Sequence, residues 1–286
     1  MKTFREKVAV ITGAASGIGR ALADRCARAG MRVVLADVEA EALARAQAEL
    51  GQAGADVLSV LTDVSKAGDV EALARTTLET YGAVHLLCNN AGVSAGSTAW
   101  ESTLNDWKWV LGVNFGGVLH GIRTFVPIML AQEDESHVVN TASIAGLLSF
   151  SPDAPYHASK HAIVALSEKL YYDLAYRGGK VGVSVLCPGL VDTRIMEGAR
   201  NRPPGLRDDR PGFVMTPEIQ AALEAYRRAI KAGMPPEQVA DAVLQAVEEG
   251  RFYILTHPEF KPLIEARMAA ILRSRNPADW SAMQEG

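Results

Sequence analysis

The chain has 286 residues, 48% of them hydrophobic, with a formal net charge of -4, which is enough apolar material for one substantial core and suits one α/β domain better than two. Acidic and basic residues are spread along the sequence, so no electrostatic footprint points to nucleic acid or to an anionic membrane surface. The N-terminal run MKTFREKVAVITG is too short in apolar residues for a signal sequence, and no other apolar run is expected to reach the length of a bilayer span, so no membrane partner is expected.

In chain order, apolar β-branched runs alternate with segments of helical period. VAVIT is followed by a helix over Gly17 to Ala29, RVVLA by one over Glu39 to Leu50, and DVLSVLT by one over Lys66 to Thr80. VHLLCNN leads into a long helical stretch from Thr103 to about Ala131, HVVNTAS into a helix from about Pro155 to Ala175, and VGVSVLCPG forms the sixth strand. Parallel strands need connections of helix length between them, and this alternation supplies them. The strands read as nearly continuous hydrophobic runs, as strands covered on both faces do. A short strand, RFYIL, ends the pattern. The expected fold is α/β, a single Rossmann-type doubly wound parallel sheet of about seven strands with helices on both faces, making one domain over 1–286. The stretch ARNRPPGLRDDRPGFVMTPEI lacks apolar period and reads as a long loop. The segment at about 194–235 is therefore a candidate substrate loop or lid, and about 256–286 a C-terminal extension. Cys26, Cys88 and Cys187 form no CxxC pair and suit packed thiols in a reducing compartment, so a cytoplasmic location is expected.

Directly after the first strand, Thr12-Gly13-Ala14-Ala15-Ser16-Gly17-Ile18-Gly19 turns into a helix. Glycine there permits positive φ and lets a pyrophosphate approach the backbone, while the helix N-terminus offers N–H donors and a favourable dipole. The spacing is GxxxGxG and not GxGxxG. A bare GxxxG helix-packing pair at Gly13 and Gly17 would need a long apolar helix around it, which this segment lacks. Asp37, after the second strand, stands where a dinucleotide fold places an acid on the adenosine ribose, and its charge would repel a 2′-phosphate; it could also cap the helix starting near Glu39. Asp63 and Val64 fit the adenine end in the same way, or Asp63 ends a strand and Ser65 caps a helix.

Together with Asn89-Asn90-Ala91-Gly92, Asn114, Ser143, the YxxxK run Tyr156-His157-Ala158-Ser159-Lys160, and Pro188-Gly189 followed by Thr193, these motifs resemble the short-chain dehydrogenase/reductase family from about Glu6 to Thr193. The resemblance implies NAD as cofactor, bound by Gly13, Ser16, Gly17, Ile18, Gly19, Asp37, Asp63 and Val64. It places Asn90, Ala91 and Gly92 along the adenosine and central region. It puts Pro188, Gly189, Val191 and Thr193 at the nicotinamide, Val191 acting through its backbone and Thr193 through its hydroxyl. Lys160 is implied to bind the nicotinamide ribose beside Tyr156, and Asn114 to support a water-mediated proton relay through Lys160. Members of the family are usually dimers or tetramers packed through the helices carrying Asn114 and Tyr156, so a homo-oligomer is expected.

The chemistry of the residues agrees with this. Hydride transfer from a secondary alcohol requires removal of the hydroxyl proton, and one positioned acid/base group serves both directions. Tyr156 is the candidate, but an unperturbed tyrosine titrates near ~10. Lys160 lies four residues on, on the same helix face. At an effective dielectric near 20, a unit charge about 4 Å away is worth roughly 4 kcal/mol, or about three pK units. Ser143 can donate a hydrogen bond to the substrate oxygen. His157 and His161 are also four apart, but no Glu lies between them as in HExxH and no third ligand is apparent, so no metal is expected.

In an open α/β sheet the ligand sits beyond the carboxyl ends of the strands, which makes Ser94, Ala145, Leu147, Phe150, Leu190 and Met196 the candidate substrate wall. Its mostly apolar character points to a hydrophobic alcohol or ketone, although each residue could equally be core. The tail, with GMPPEQVADAV and RFYILTHPEF, resembles a subgroup that includes enzymes acting on bulky aromatic or benzylic alcohols. The expected function is NAD-dependent interconversion of a secondary alcohol and a ketone. Two other readings compete. A non-catalytic nucleotide-binding regulator would commonly have lost part of the Ser/Tyr/Lys set, and a sugar-nucleotide epimerase or dehydratase usually carries a different glycine spacing and a larger C-terminal region.

Overall fold

The computed structural model describes residues 1–95, 97–132, 134–149, 153–178, 180–207 and 216–277. Among these, seven strands form one sheet: β1 (Val8–Thr12), β2 (Arg32–Asp37), β3 (Val57–Leu61), β4 (Leu86–Asn89), β5 (Ser136–Thr141), β6 (Val181–Leu186) and β7 (Tyr253–Ile254). All neighbours pair in parallel, in the order β3-β2-β1-β4-β5-β6-β7. The winding reverses between β1 and β4, so the carboxyl ends of those strands, Thr12 and Asn89, flank the crevice in which open α/β sheets receive ligands.

Successive strand residues serve opposite layers. Ala9, Ile11, Val33 and Leu35 face a cluster with Leu22 and Cys26 of α1 (Gly17–Arg28), Leu43 of α2 (Ala40–Gln52) and Val243 of α8 (Pro236–Glu249). Val8, Val10 and Val34 face the other way, onto Leu73 of α3 (Ala67–Tyr81), Phe125 of α5 (Gly117–Ala131) and Leu170 of α6 (Ala154–Tyr176). This two-sided burial is why the strands are apolar at nearly every position.

The long helical stretch after β4 is α4 (Leu104–Val110), a π-helical turn (Leu111–Gly116) and α5 in succession. By length and composition it corrects the expectation that no apolar run approaches a bilayer span: Leu104–Ala131 covers 28 residues, with a window of mean hydropathy 1.2. In the fold it lies along the sheet between α3 and α6, with Asp106 and Asn114 buried within it.

Three boundaries differ from the sequence reading. The stretch expected to be irregular contains the 3-10 turns Ile195–Asn201 and Pro204–Leu206, and the loop expected over 194–235 includes α7 (Pro217–Lys231). Leu223, Tyr226 and Ile230 have helical spacing there, Pro217 stands at the helix start and Gly233 follows its end; the Pro- and Arg-rich run before them obscures that signal. β7 has two residues and not five, although Val185 N donates to Phe252 O (2.8 Å) and Cys187 N to Ile254 O (2.9 Å) around it. The C-terminal extension holds α9 (Lys261–Leu272). Residues 208–215 of the loop and 278–286 of the extension lie outside the described residues.

Candidate active site

The glycine turn after β1 is as tight as its sequence implies. Gly13 and Gly17 have φ of 65° and 55°, a region open to glycine and strained for other residues. A Cβ on Gly19 would stand 2.0 Å from Gly13 O and 2.6 Å from Asn90 Nδ2, so this residue must be glycine for the turn to close. Ser16 precedes α1 in an extended conformation and makes no side-chain capping bond, while helix geometry leaves the first-turn N–H groups without intrahelical acceptors. Gly17, Ile18 and Gly19 thus begin an anion-receptive helix end. The turn is stitched to β2: Ala14 N donates to Ala36 O (3.2 Å), and Ala15 N to Asp37 Oδ2 (3.0 Å). Asp37 Oδ1 accepts from Glu39 N (3.1 Å). The carboxylate therefore stands beside the glycine turn, and the residue at the N-cap of α2 is Glu39.

Thr12, to which the motif alone assigns no role, organises the neighbouring strand end. Its Oγ accepts from Asn90 N (2.9 Å) and Ala91 N (3.1 Å) and donates to Cys88 O (3.3 Å), while Asn90 Nδ2 donates to Thr12 O (3.0 Å). At the next strand end, Asp63 accepts from Ser65 N (3.1 Å) and Ser65 Oγ (2.6 Å) and pairs with Lys66 (3.2 Å). Burial pushes its carboxyl up, but those bonds outweigh burial and hold it below the ordinary range. Val64 is buried, and a Cβ on Gly117 would meet its Cγ2 at 2.7 Å.

Asn114 sits in the π-helical turn, fully buried. Its Oδ1 accepts from Val93 N (2.8 Å), and its Nδ2 donates to Val93 O (3.0 Å) and Ser159 Oγ (3.0 Å). Its side chain thus fastens the segment after Gly92 to α6. Ser159, inside the YxxxK run, is a partner that spacing alone does not disclose. Asn114 and Lys160 meet around Gly92, where a Cβ would lie 3.5 Å from Asn114 Oδ1 and from Lys160 Nζ.

Ser143 ends the segment after β5 and Tyr156 lies in the first turn of α6, whose start is capped by Asp153 through Tyr156 N (3.1 Å). Burial pushes the Tyr156 phenol up, and the hydrogen bond from Ser143 opposes that shift. Lys160 Nζ lies 5.3 Å from the centre of the Tyr156 ring and donates to Thr141 O (2.9 Å). Burial brings its ammonium down to about 8. The lysine is thus close to the phenol, but burial and not its charge dominates the phenol in this structure. His157, which spacing paired with His161, directs Nδ1 at Ala145 O (3.1 Å) and Leu148 O (2.9 Å) and steadies the segment after Ser143. Among the described residues no group of three His, Cys, Asp or Glu side chains could hold a metal ion.

The segment after β6 closes the other bank. Ile144 N donates to Pro188 O (2.8 Å), Gly189 N to His257 Nδ1 (3.0 Å) and Met234 N to Leu190 O (2.9 Å); Val191 forms a parallel bridge with Met234. Thr193 reaches the glycine turn, its Cγ2 lying 3.1 Å from where a Gly17 Cβ would be.

Beyond it, residues 195–207 bind both the N-cap of α2 and α4. Arg200 Nη2 and Asn201 Nδ2 both hold Glu39 Oε1, at 2.6 and 2.9 Å. Arg202 Nη1 holds Asp106 Oδ1 at 2.6 Å and lies over the Trp109 ring, 5.2 Å from its centre. Gly198 is buried, and a Cβ there would lie 3.8 Å from Ser94 and from the Trp109 ring. Of the expected substrate wall, Ser94 donates to the buried Asp153, whose carboxyl burial pushes up. Ala145 is buried; Leu190 and Met196 are half-buried; Leu147 packs against the cluster of Ile163 and Val164. Phe150 lies outside the described residues. Val93, Trp109 and Val110, with Tyr156 and Leu206 against them, form an apolar wall beside the phenol that the sequence reading did not include.

A family model described as short chain dehydrogenase matches residues 7–203. The chain is 35% identical over 277 residues to the CLA biosynthesis dehydrogenase/reductase of Lactiplantibacillus plantarum, covering 97% of each protein. It is 36% identical to the C alpha-dehydrogenase of Sphingobium sp., over 98% of this chain and 90% of that one. Among solved structures, a short chain dehydrogenase/reductase from Burkholderia phymatum in complex with NAD superposes with a TM-score of 0.93 at 51% identity, covering 98% of this chain and 99% of that one. Fold, motif order and these likenesses agree: the chain belongs to the short-chain dehydrogenase/reductase family of oxidoreductases.

Proposed function

We propose that the protein is an NAD-dependent alcohol dehydrogenase or carbonyl reductase acting on a hydrophobic secondary alcohol or its ketone. The observation that carries this reading is the convergence of Ser143, Tyr156 and Lys160 at the carboxyl ends of the strands, beside a glycine turn already joined to the Asp37 carboxylate. A relative of high structural similarity was solved in complex with NAD, and another is named a C alpha-dehydrogenase.

The residues present fit a dinucleotide. Gly13 and Gly17 hold the turn at positive φ, the start of α1 offers donors for a pyrophosphate, and Asp37 offers acceptors for ribose hydroxyls while its charge repels a 2′-phosphate. NAD supplies the hydride acceptor, and its reduced form the donor. Tyr156 takes the hydroxyl proton in oxidation and returns it in reduction, Ser143 hydrogen-bonds the substrate oxygen, and Lys160 holds the ribose and lends positive charge. Asn114 positions the segment after Gly92 through Val93 and ties it to the catalytic helix through Ser159. Residues 195–207, tied to Glu39 and Asp106, are the lid of a single catalytic domain, and through Leu206 they pack against the apolar wall of Val93, Trp109 and Val110. That wall suits a bulky or aromatic group beside the reacting carbon. Helix α6 presents Tyr172 and Tyr176 to solvent, which suits assembly into a dimer or tetramer.

The test is a panel of aliphatic, cyclic and benzylic secondary alcohols offered with NAD and, separately, NADP, following reduced-nicotinamide absorbance. NAD-linked turnover, strongest on benzylic alcohols, is the expected result. A clear preference for NADP would overturn the role given to Asp37, and absence of turnover in both directions would overturn the activity.

A further inference from the structure

His257 lies beyond the residues matched by the family model, in the segment between β7 and α9. Its ring is bonded on both sides to the segment after β6. Gly189 N donates to Nδ1 at 3.0 Å, and Nε2 stands 3.0 Å from Leu190 O. A backbone N–H can only donate and a carbonyl can only accept, so the pair fixes the ring as the neutral tautomer with its proton on Nε2. Thr256 Oγ lies 2.8 Å from the same Nδ1. Ring contact accompanies the bonds: a Cβ on Gly189 would meet His257 Cδ2, His257 Cγ and Phe260 Cε2, each at 2.8 Å. Gly189 is therefore glycine because two aromatic rings occupy the place of its side chain.

The consequence is directional. Pro188 O is taken by Ile144 N, Gly189 N by His257, and Leu190 O by both His257 and Met234 N. These bonds fix the segment from behind and settle where the next groups, the Val191 backbone and the Thr193 hydroxyl, present themselves to the cleft. We propose that His257 is a positioning residue for nicotinamide recognition: it touches no reacting atom, and acts by holding Gly189 and Leu190 so that Val191 and Thr193 meet the nicotinamide ring. This rests on the reading that the Pro188–Thr193 segment receives that ring.

The experiment compares the affinities of NAD and ADP-ribose, which lacks the nicotinamide, by calorimetry on the wild type and on His257→Phe and His257→Asn. His257→Phe keeps a ring against Gly189 and Phe260 but neither hydrogen bond; His257→Asn restores an acceptor near the Nδ1 position. Loss of two bonds predicts NAD binding about tenfold weaker in His257→Phe, with ADP-ribose within about twofold of wild type and partial recovery of NAD binding in His257→Asn. Thermal melting identifies a variant that does not fold, and the asparagine variant then carries the comparison: its NAD affinity should lie below wild type with ADP-ribose unchanged. Affinities for both ligands falling together, or neither changing in a folded variant, would overturn the inference. A wild type that binds neither ligand overturns both this and the cofactor assignment, whereas one that binds NAD but oxidises no alcohol removes the proposed activity and leaves the comparison decisive for His257.

Discussion

Arg202 and Asp106 form an ion pair between the segment after Thr193 and α4, with Nη1 2.6 Å from an Oδ1 whose side chain has no solvent exposure. Two residues earlier, Arg200 grips Glu39 at the N-cap of α2. Three consecutive residues, Arg200 to Arg202, thereby tie one short segment to the end of β2 and to the start of α4.

Removing one partner of a buried pair leaves a charge without compensation, which costs more than the pair itself contributes. Arg202→Met should therefore lower unfolding free energy by about 3 kcal/mol in urea denaturation. Adding Asp106→Asn in the same chain should recover at least half of that loss. Equal stabilities for the single and double variants would show that the Asp106 carboxylate is not kept charged by Arg202.

The outer latch is more exposed and should act on exchange more than on stability. Hydrogen bonding from Arg200 holds the Glu39 carboxyl below the ordinary range against opposing burial, so the latch persists at neutral pH and is lost only as pH falls through that lowered value. Glu39→Gln should speed release of the reduced cofactor, measured by stopped-flow fluorescence, by about tenfold, the loss of one charge-assisted contact. Added salt should raise the wild-type rate toward that of the variant. Release rates within twofold of each other would mean that the segment does not gate the cofactor.

His137 gives a stability signature at acid pH. Its ring is buried in β5, bonded to Ser184 Oγ (2.8 Å), and burial lowers its pKa from 6.5 to about 3. The unfolded chain takes up a proton near 6.5 while the folded chain stays neutral until about 3. The contribution is thus fully present above 6.5 and is lost as pH falls through this window, at about 1.4 kcal/mol per pH unit. Urea denaturation at several pH values between 6.5 and 4 should show a slope smaller by one proton in His137→Gln than in the wild type. Identical slopes would contradict a neutral, buried His137.

Two glycines should respond in opposite senses. Gly19→Ala places a Cβ against Gly13 O and Asn90, so nucleotide binding should be lost, with a stability cost of about 2 kcal/mol from overpacking. At Gly51, within α2, a Cβ meets nothing within 4 Å, and Gly51→Ala should raise stability by about 0.5 kcal/mol. A Gly19→Ala protein that still binds NAD tightly would show that the turn relaxes.

The sheet was legible because strands buried on both faces write themselves as unbroken apolar runs, as in VAVIT and VGVSVL. The glycine turn was legible because positive φ at Gly13 and Gly17 restricts residue type. Asp37 was legible by its distance from that turn, but its bond to Ala15 N was not, since it depends on how β1 and β2 align. Contacts between residues far apart in sequence left no trace: Arg200 with Glu39, Arg202 with Asp106, and His257 with Gly189 join residue types that are common anywhere on a surface. The π-helical turn at Asn114 was hidden for a different reason, because its side-chain period differs from an α-helix by too little over six residues.

The central claim is that Tyr156 moves the proton for hydride transfer to NAD. Its most direct test is the single-turnover rate of alcohol oxidation in Tyr156→Phe, alongside NAD affinity by calorimetry. The expected rate is lower by about 10²–10⁴, the usual contribution of a positioned acid/base group, with NAD affinity within about threefold of wild type, because the substitution removes one hydroxyl and leaves the glycine turn and Asp37 in place. A Tyr156→Phe enzyme that oxidises the alcohol within tenfold of the wild-type rate while binding NAD normally would contradict it.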